Sequence, residues 1–347
     1  MGMPVSTWVE VDLDRFVSNL RAVRAWVCGG GDPGAPERGI LLVTKADAYG
    51  HGAVEIAEVA AAEGVACLGV ATLHEGIQLR QAGCRLPILV LSPLLPSEIH
   101  EAVVHGLDPT VCDLVFAREL SAEAVRTGRA VRCHVEVDTG MGRAGVREGE
   151  AETFLTAVAS LPGLRLASLF MHFPDADAAD LSFAQDQLRR FRTLATHLAE
   201  HGIRPPRLHA ANSAGIVNLP EARFDWVRVG LLAYGHQPPN SRARLDLAPV
   251  MSFKSRLVQI RDLPAGATIS YGRSYVTPRP MRIGVVAVGY GHGYSWLLSN
   301  QGHMLVRGRR VAIVGRVTMD LTMVDLGPVP EAEVGDDVVL FGDQDGV

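Results

Sequence analysis

Hydrophobic and polar positions follow one rhythm along most of the chain and a second after Pro238. Thr7 to Asp12 alternates apolar and polar residues like a half-buried strand, and Leu13 to Val27 carries apolar residues at helical spacing. A Pro/Gly loop is expected at 29–36. From Gly39 short apolar runs alternate with helical stretches. The runs are Gly39–Thr44, Ala66–Ala71, Pro87–Leu91, a weaker one at Asp108–Val111, Val131–Val137, Leu166–Phe170, Arg207–Ala210 and Trp226–Val229. Helical spacing lies between them, at His74–Gln81, Pro96–Val104, Leu114–Arg126 and Phe183–His201 among others. This alternation, eight times over roughly two hundred residues, predicts an α/β fold of the (β/α)8 TIM-barrel type rather than an open sheet.

Past Pro238-Pro-Asn-Ser241 the runs are Ser252–Ile260, Arg282–Val288, His303–Arg307, Arg310–Val314 and Asp336–Phe341, joined by glycine and proline turns without a helical pattern. A mainly-β domain is expected there. The predicted division is a barrel over 11–245 and a C-terminal β domain over 246–347, joined by the N-terminal strand at 1–10.

Composition narrows the function. A net charge of −5 and the absence of a Lys/Arg block argue against nucleic acid as a partner. No apolar run reaches the eighteen or so residues of a membrane span, and the first residues lack the basic start and apolar core of a signal peptide. A cytoplasmic protein without a membrane partner is expected. Five scattered cysteines with no C-x-x-C pair suggest neither a disulfide framework nor a metal site.

The 33 basic residues include only two lysines, Lys45 and Lys254. A chain that writes its cations as arginine keeps lysine where an amine is needed, and chemistry by the ε-amine is the commonest such need. Lys45 follows the apolar run Gly39–Thr44, at the C-terminal tip of a predicted barrel strand. Barrel chemistry collects at that end, because the βα loops converge there. Other predicted strands end in Asp138-Thr-Gly-Met-Gly-Arg143, His172, Asn212-Ser-Ala-Gly215 and Arg228-Val-Gly-Leu231. The last two lie where barrels usually hold phosphate, with small residues that let backbone N–H groups approach an anion. A lone amine beside a phosphate cradle suggests a Schiff base to pyridoxal 5'-phosphate.

The same segments resemble the alanine racemase family of pyridoxal-phosphate enzymes. Lys45-Ala-Asp-Ala-Tyr-Gly-His-Gly52 resembles its lysine motif, Val137–Arg143 its central loop, and His209–Ser213 and Val227–Gly230 its cofactor loops. In the second domain Ile269–Arg273, Val288–Tyr290 and Gly315–Asp320 continue the likeness, which runs from about Trp8 to Phe341.

The resemblance implies racemisation of L- and D-alanine by two-base exchange of the α-proton, supplying D-alanine for peptidoglycan. Lys45 would hold the cofactor and act as one base, and Tyr271 of the partner subunit would act as the other, in a head-to-tail homodimer with shared sites. It further implies that Tyr49, Ser213, Gly230 and Leu231 hold the phosphate, that Asn212 belongs to the cofactor-binding set, that His172 packs on the pyridine ring and that Arg228 faces its nitrogen. Arg143 would steer the substrate carboxylate, with Tyr290, Met319 and Asp320 bounding the substrate. No metal is implied.

Three departures from the family pattern stand out. Glu136 occupies the place of a lysine that is carbamylated in many relatives, and as an anion it is expected to hold Arg143 directly. The usual Gly-Tyr-Ala-Asp-Gly reads Gly289-Tyr-Gly-His-Gly293. The chain ends at Val347, short of the usual terminus, so the β domain is expected to be truncated and to lack a tyrosine that relatives aim at the phosphate. Racemisation of serine or another small amino acid, and cofactor binding without turnover, are the alternative functions.

Overall fold

The computed structural model describes residues 5–29 and 37–344. They form two compact units, Leu13–Ala248 on the one hand and Met1–Asp12 with Pro249–Val347 on the other. Apart from Gly29, the loop expected at 29–36 lies outside the described residues.

Strand β1 (Thr7–Val11) belongs to the second unit. The first unit is a closed barrel of eight parallel strands: β2 (Gly39–Val43), β3 (Cys67–Val70), β4 (Ile88–Pro93), β5 (Asp108–Val111), β6 (Val131–Asp138), β7 (Leu164–Phe170), β8 (Leu208–His209) and β9 (Trp226–Val229). Each pairs with the next, and β9 returns to β2 with Arg228 opposite Leu41. The eight predicted runs are these eight strands. Both faces of β2 are covered, which is why its sequence is apolar without alternation.

The helices are α1 (Leu13–Val27), α2 (Ala53–Ala62), α3 (Leu73–Gln81), α4 (Ile99–Val104), α5 (Leu114–Thr127), α6 (Ala151–Ser160), α7 (Ser182–Glu200) and α8 (Ser213–Asn218). Local chemistry sets their ends. Thr72 and Glu75 make a reciprocal capping box at the head of α3. Asp113 caps α5, which stops at Gly128 in a left-handed conformation.

In the second unit β10 (Met251–Leu263) is a long strand with a bulge, pairing first with β1 and the last strand and then with β11 (Met281–Val286). β12 (His303–Val306), β13 (Arg309–Ala312), β14 (Thr322–Asp325) and β15 (Asp337–Phe341) complete an antiparallel sheet in the order β13-β12-β15-β10-β11-β14. Leu257, Val286, Val306, Val324 and Val338 are among its buried core. A barrel and a mainly-β domain were the fold expected from sequence, and both are present.

Candidate active site

Lys45 follows β2 after a single residue, Thr44, and is half-buried. The chain then does something its sequence does not advertise. Ala46, Asp47, Ala48 and Tyr49 take φ of 51°, 53°, 53° and 56°, a full left-handed turn built without glycine. Such residues cost roughly 1–2 kcal/mol each, so neighbouring groups must hold the turn in place. The Ala48 N–H donates to the Thr44 carbonyl at 2.9 Å. Asp47 Oδ1 accepts from the Ala53 N–H at 2.7 Å, at the head of α2. Glu75 accepts from the Ala46 N–H at 2.7 Å and, with its other oxygen, from Ala71 and Thr72. At the end of the turn the Tyr49 ring rests 5.2 Å from that of Tyr234, whose hydroxyl donates to the Val43 carbonyl.

One cavity of about 490 Å³, a size that suits a small organic ligand, lies at this end of the barrel. Its lining includes Lys45, Tyr49, Glu136, Arg143, His172, Asn212, Ser213, Arg228, Gly230 and Leu231, every barrel residue given a role at the site from sequence. Of the two lysines, Lys254 is paired with Glu10 at 2.6 Å. Lys45 makes no hydrogen bond or ion pair among the described residues. Across the cavity wall Gly230 N–H donates to Ser213 Oγ at 3.1 Å. A Cβ on Gly230 would sit 3.0 Å from Tyr49 Oη and 3.8 Å from Ser213 Oγ, so glycine keeps open a nook walled by two hydroxyls. Asn212 contributes at one remove: its side chain caps α8 by accepting from Gly215 and donates to the Phe173 carbonyl.

Arg228 is 3% exposed. It donates to the carbonyls of Met171, His209 and Ala210, at 2.8, 3.1 and 2.9 Å, and to the imidazole nitrogens of His209 and His172, at 2.9 and 3.2 Å. No carboxylate pairs with it among the described residues, and its Nε–H makes no hydrogen bond to them. Burial lowers its pKa to about 10, which leaves it a cation near neutral pH. Burial, with Arg228 and then Arg143 and Lys45 adding repulsion, lowers His172 to about 3, so that imidazole is neutral.

The direct pairing expected between Glu136 and Arg143 is not formed. Glu136 is buried on β6, with no ion pair among the described residues, whereas Arg143 stands exposed on the glycine-rich loop beyond that strand. The loop is tied elsewhere: the Asp138 carboxylate accepts from the N–H groups of Gly140 and Gly142. Burial raises the Glu136 carboxyl, and Arg228 and then Arg143 oppose the shift from a distance.

Tyr271, Tyr290, Met319 and Asp320 lie in the β unit. Tyr271 is 70% exposed, on a turn where Ser270, Gly272 and Arg273 all have positive φ. Tyr290 and Met319 are brought together by hydrogen bonds from Tyr290 N–H to the Thr318 carbonyl and from Gly291 N–H to the Met319 carbonyl. Gly289 permits that approach, because a Cβ there would fall 2.1 Å from the Thr318 oxygen. Asp320 is exposed in the adjoining turn.

Outside the cavity, Glu152, His197 and His201 place possible metal-ligand atoms within 4.8 Å of one another. They are partnered as they stand, His197 Nε2 with Glu152 and His201 Nδ1 with the His197 carbonyl.

Models of two successive domains, the alanine racemase N-terminal domain and the alanine racemase C-terminal domain, match residues 11–238 and 250–347. The chain belongs to the alanine racemase family. It is 43% identical over 352 aligned residues to an alanine racemase of Desulfosudis oleivorans, covering 98% of this chain and 88% of the relative. Among solved structures, an alanine racemase of Clostridium difficile 630 superposes with a TM-score of 0.93 at 33% identity, covering 99% of this chain and 89% of that one. The alanine racemase of Bartonella henselae, solved with covalently bound pyridoxal phosphate, superposes at 0.85 with 25% identity, over 98% and 91% of the two chains. Sequence reasoning singled out the cavity residues that carry this family's motifs. It missed Glu75, whose capping-box spacing Thr72-x-x-Glu75 is a signal for the start of a helix but not for a clamp on the Lys45 turn.

Proposed function

We propose that the chain interconverts L- and D-alanine as a cytoplasmic homodimer with pyridoxal 5'-phosphate as cofactor, supplying D-alanine for peptidoglycan. The observation that carries this reading is the meeting, in one cavity, of a hydroxyl-walled nook with an amine that has no partner and a cation that has no carboxylate among the described residues. These residues fit the cofactor. Lys45 would hold it covalently, Tyr49, Ser213 and Gly230 with the Asn212 and Leu231 loops would receive its phosphate, and His172 would pack on its ring. The Nε–H of Arg228 is the donor left for the ring nitrogen.

When bound, the cofactor supplies a conjugated ring that accepts the electron pair freed at the α-carbon. Arg228, as a cation, disfavours a proton on the ring nitrogen and so keeps that sink weak, which suits an enzyme that only exchanges protons. Lys45 Nζ moves the α-proton on one face, and Tyr271 Oη of the partner subunit moves it on the other. Arg143 attracts the substrate carboxylate, Glu136 tunes the field at that end of the cavity, and Tyr290, Met319 and Asp320 of the partner subunit bound the substrate. The exposure of Tyr271, Tyr290, Trp296, Leu297 and Met319 on the β unit supports a dimer interface there.

The deciding experiment incubates L-alanine with the protein in D₂O and follows both the α-proton signal and the optical rotation. Exchange with loss of rotation is expected. A protein that binds the cofactor but exchanges no α-proton would overturn the reading.

A further inference from the structure

Four consecutive barrel strands each turn one polar side chain inward to form a hydrogen-bonded chain, and a fifth places a carboxylate near its end. Arg228 on β9 donates to His209 Nδ1 on β8 at 2.9 Å. His209 Nε2 lies 2.8 Å from Ser168 Oγ on β7, and that oxygen lies 2.6 Å from His134 Nδ1 on β6. The hydrogen bonds end there: His134 Nε2 is buried, makes no hydrogen bond among the described residues and lies 3.8 Å from Asp108 on β5, whose carboxylate is held by Arg132 at 2.6 Å. Arg228, His209, Ser168, His134 and Asp108 are all at most 5% exposed.

The direction of every link follows from the first. A guanidinium can only donate, so His209 Nδ1 is the acceptor and the ring proton sits on Nε2. That proton goes to Ser168 Oγ. The serine hydroxyl then has one further partner among the described residues, His134 Nδ1, and must donate to it. His134 is thereby left with its proton on Nε2, facing Asp108. Were His209 to take the opposite tautomer, an N–H would face the N–H of Arg228 at 2.9 Å, and the guanidinium would lose an acceptor it cannot replace with a carboxylate.

We propose that Ser168 is a positioning residue for the reaction: it closes a one-way hydrogen-bond chain that locks His209 and His134 as Nε2–H tautomers and so keeps Arg228 presented to the cavity as a cation. This rests on the racemase reading above for its effect on turnover, but not for its structural content. Neither Ser168 nor His134 lines the cavity, so their influence passes through Arg228.

The test labels the holoenzyme with ¹⁵N-histidine and reads the tautomers from two-bond proton–nitrogen correlations. Both imidazoles are expected as Nε2–H in the parent. In Ser168→Ala, His134 should lose its single tautomer and kcat for alanine should fall about tenfold, the usual scale for stranding a buried partner, with KM unchanged because Arg228 does not bind the substrate. Ser168→Thr keeps the hydroxyl and should restore both readouts, although a role in packing alone would make the larger threonine the worse substitution. Should threonine not fold, Ser168→Cys takes its place and should resemble alanine. An Nδ1–H tautomer at His209 in the parent, or a Ser168→Ala variant with parental tautomers and kcat, overturns the proposal. Absence of racemase activity in the parent would instead overturn the functional reading, and the spectra would still decide the chain.

Discussion

The carboxylate of Glu75 accepts a 2.7 Å hydrogen bond from the backbone N–H of Ala46, the residue that follows Lys45. That bond ties the first residue of a left-handed turn to the head of α3, and the same carboxylate takes two further N–H groups at the end of β3. Glu75→Ala leaves three donors to water and removes the clamp on a turn that is costly by itself. Activity is expected to fall roughly tenfold to a hundredfold, by analogy with other groups that orient an active residue. Glu75→Gln keeps one acceptor oxygen and should fall in between. Steady-state kinetics with circular dichroism as a control for folding checks this, and equal activity in all three proteins would show that the turn holds itself.

This turn also marks where the sequence stopped being legible. The barrel could be read because apolar runs of strand length alternate with helical spacing, and the rim because barrel chemistry gathers at strand ends. Even the weak run Asp108–Val111 is a strand over those same residues. The turn at Ala46–Tyr49 could not be read, since glycine is absent from it and Asp47 is the one residue of the four whose type favours positive φ. Strand β14 was missed because Thr322–Asp325 is short and its apolar neighbours read equally well as a loop. The hydrogen-bond chain from Arg228 to His134 was invisible for another reason: its members come from four separate strands and meet only once the barrel closes.

Lys45→Ala is expected to abolish both racemisation and the visible absorbance of the bound cofactor, because the other lysine is spent in its pair with Glu10. Tyr271→Phe should keep the absorbance and lose turnover, with a deficit of the order of a hundredfold or more for a missing general acid–base. If sites are shared between subunits, mixing the two variants should restore part of the activity. Confirmed heterodimers with no recovery would refute the shared geometry.

His172 predicts an acid sensitivity. Burial, then the nearby cations, lowers its folded pKa to about 3, against an ordinary value near 6.5. Between those values the unfolded chain binds the extra proton, so this histidine's contribution to stability is complete above the ordinary value and is lost as pH falls through the window. His209, lowered in the same sense by burial and Arg228, adds to the effect. Urea midpoints of the apoprotein, measured over this range for the parent and for His172→Gln, should converge as the pH drops. Parallel curves would show that His172 is free to take a proton in the folded state.

Glu136 carries the last prediction, and the structure has changed its sign. A carboxylate locked to Arg143 would cost about 3 to 5 kcal/mol to break. No such lock is present: Arg143 is exposed, Glu136 is buried, and burial raises its carboxyl pKa while Arg228 and Arg143 only partly oppose the shift. A carboxyl with a raised folded pKa holds its proton longer in the folded state than in the unfolded one. Stability therefore falls as pH rises from the ordinary carboxylate range through the raised value. Glu136→Gln removes that penalty, so it should be more stable than the parent at neutral pH, and the gain should vanish in acid. The influence on Arg143 passes through space to an exposed group, for which interactions of at most about 1 kcal/mol are usual, so the Michaelis constant for alanine should rise no more than about fivefold. Bicarbonate should have no effect on the parent. It should raise the activity of Glu136→Lys if a carbamate on the new amine restores the negative charge. Thermal denaturation of Glu136→Gln at neutral and acid pH is the direct check: a variant that is less stable than the parent at neutral pH would mean that the carboxylate makes a net stabilising contact and would overturn the prediction.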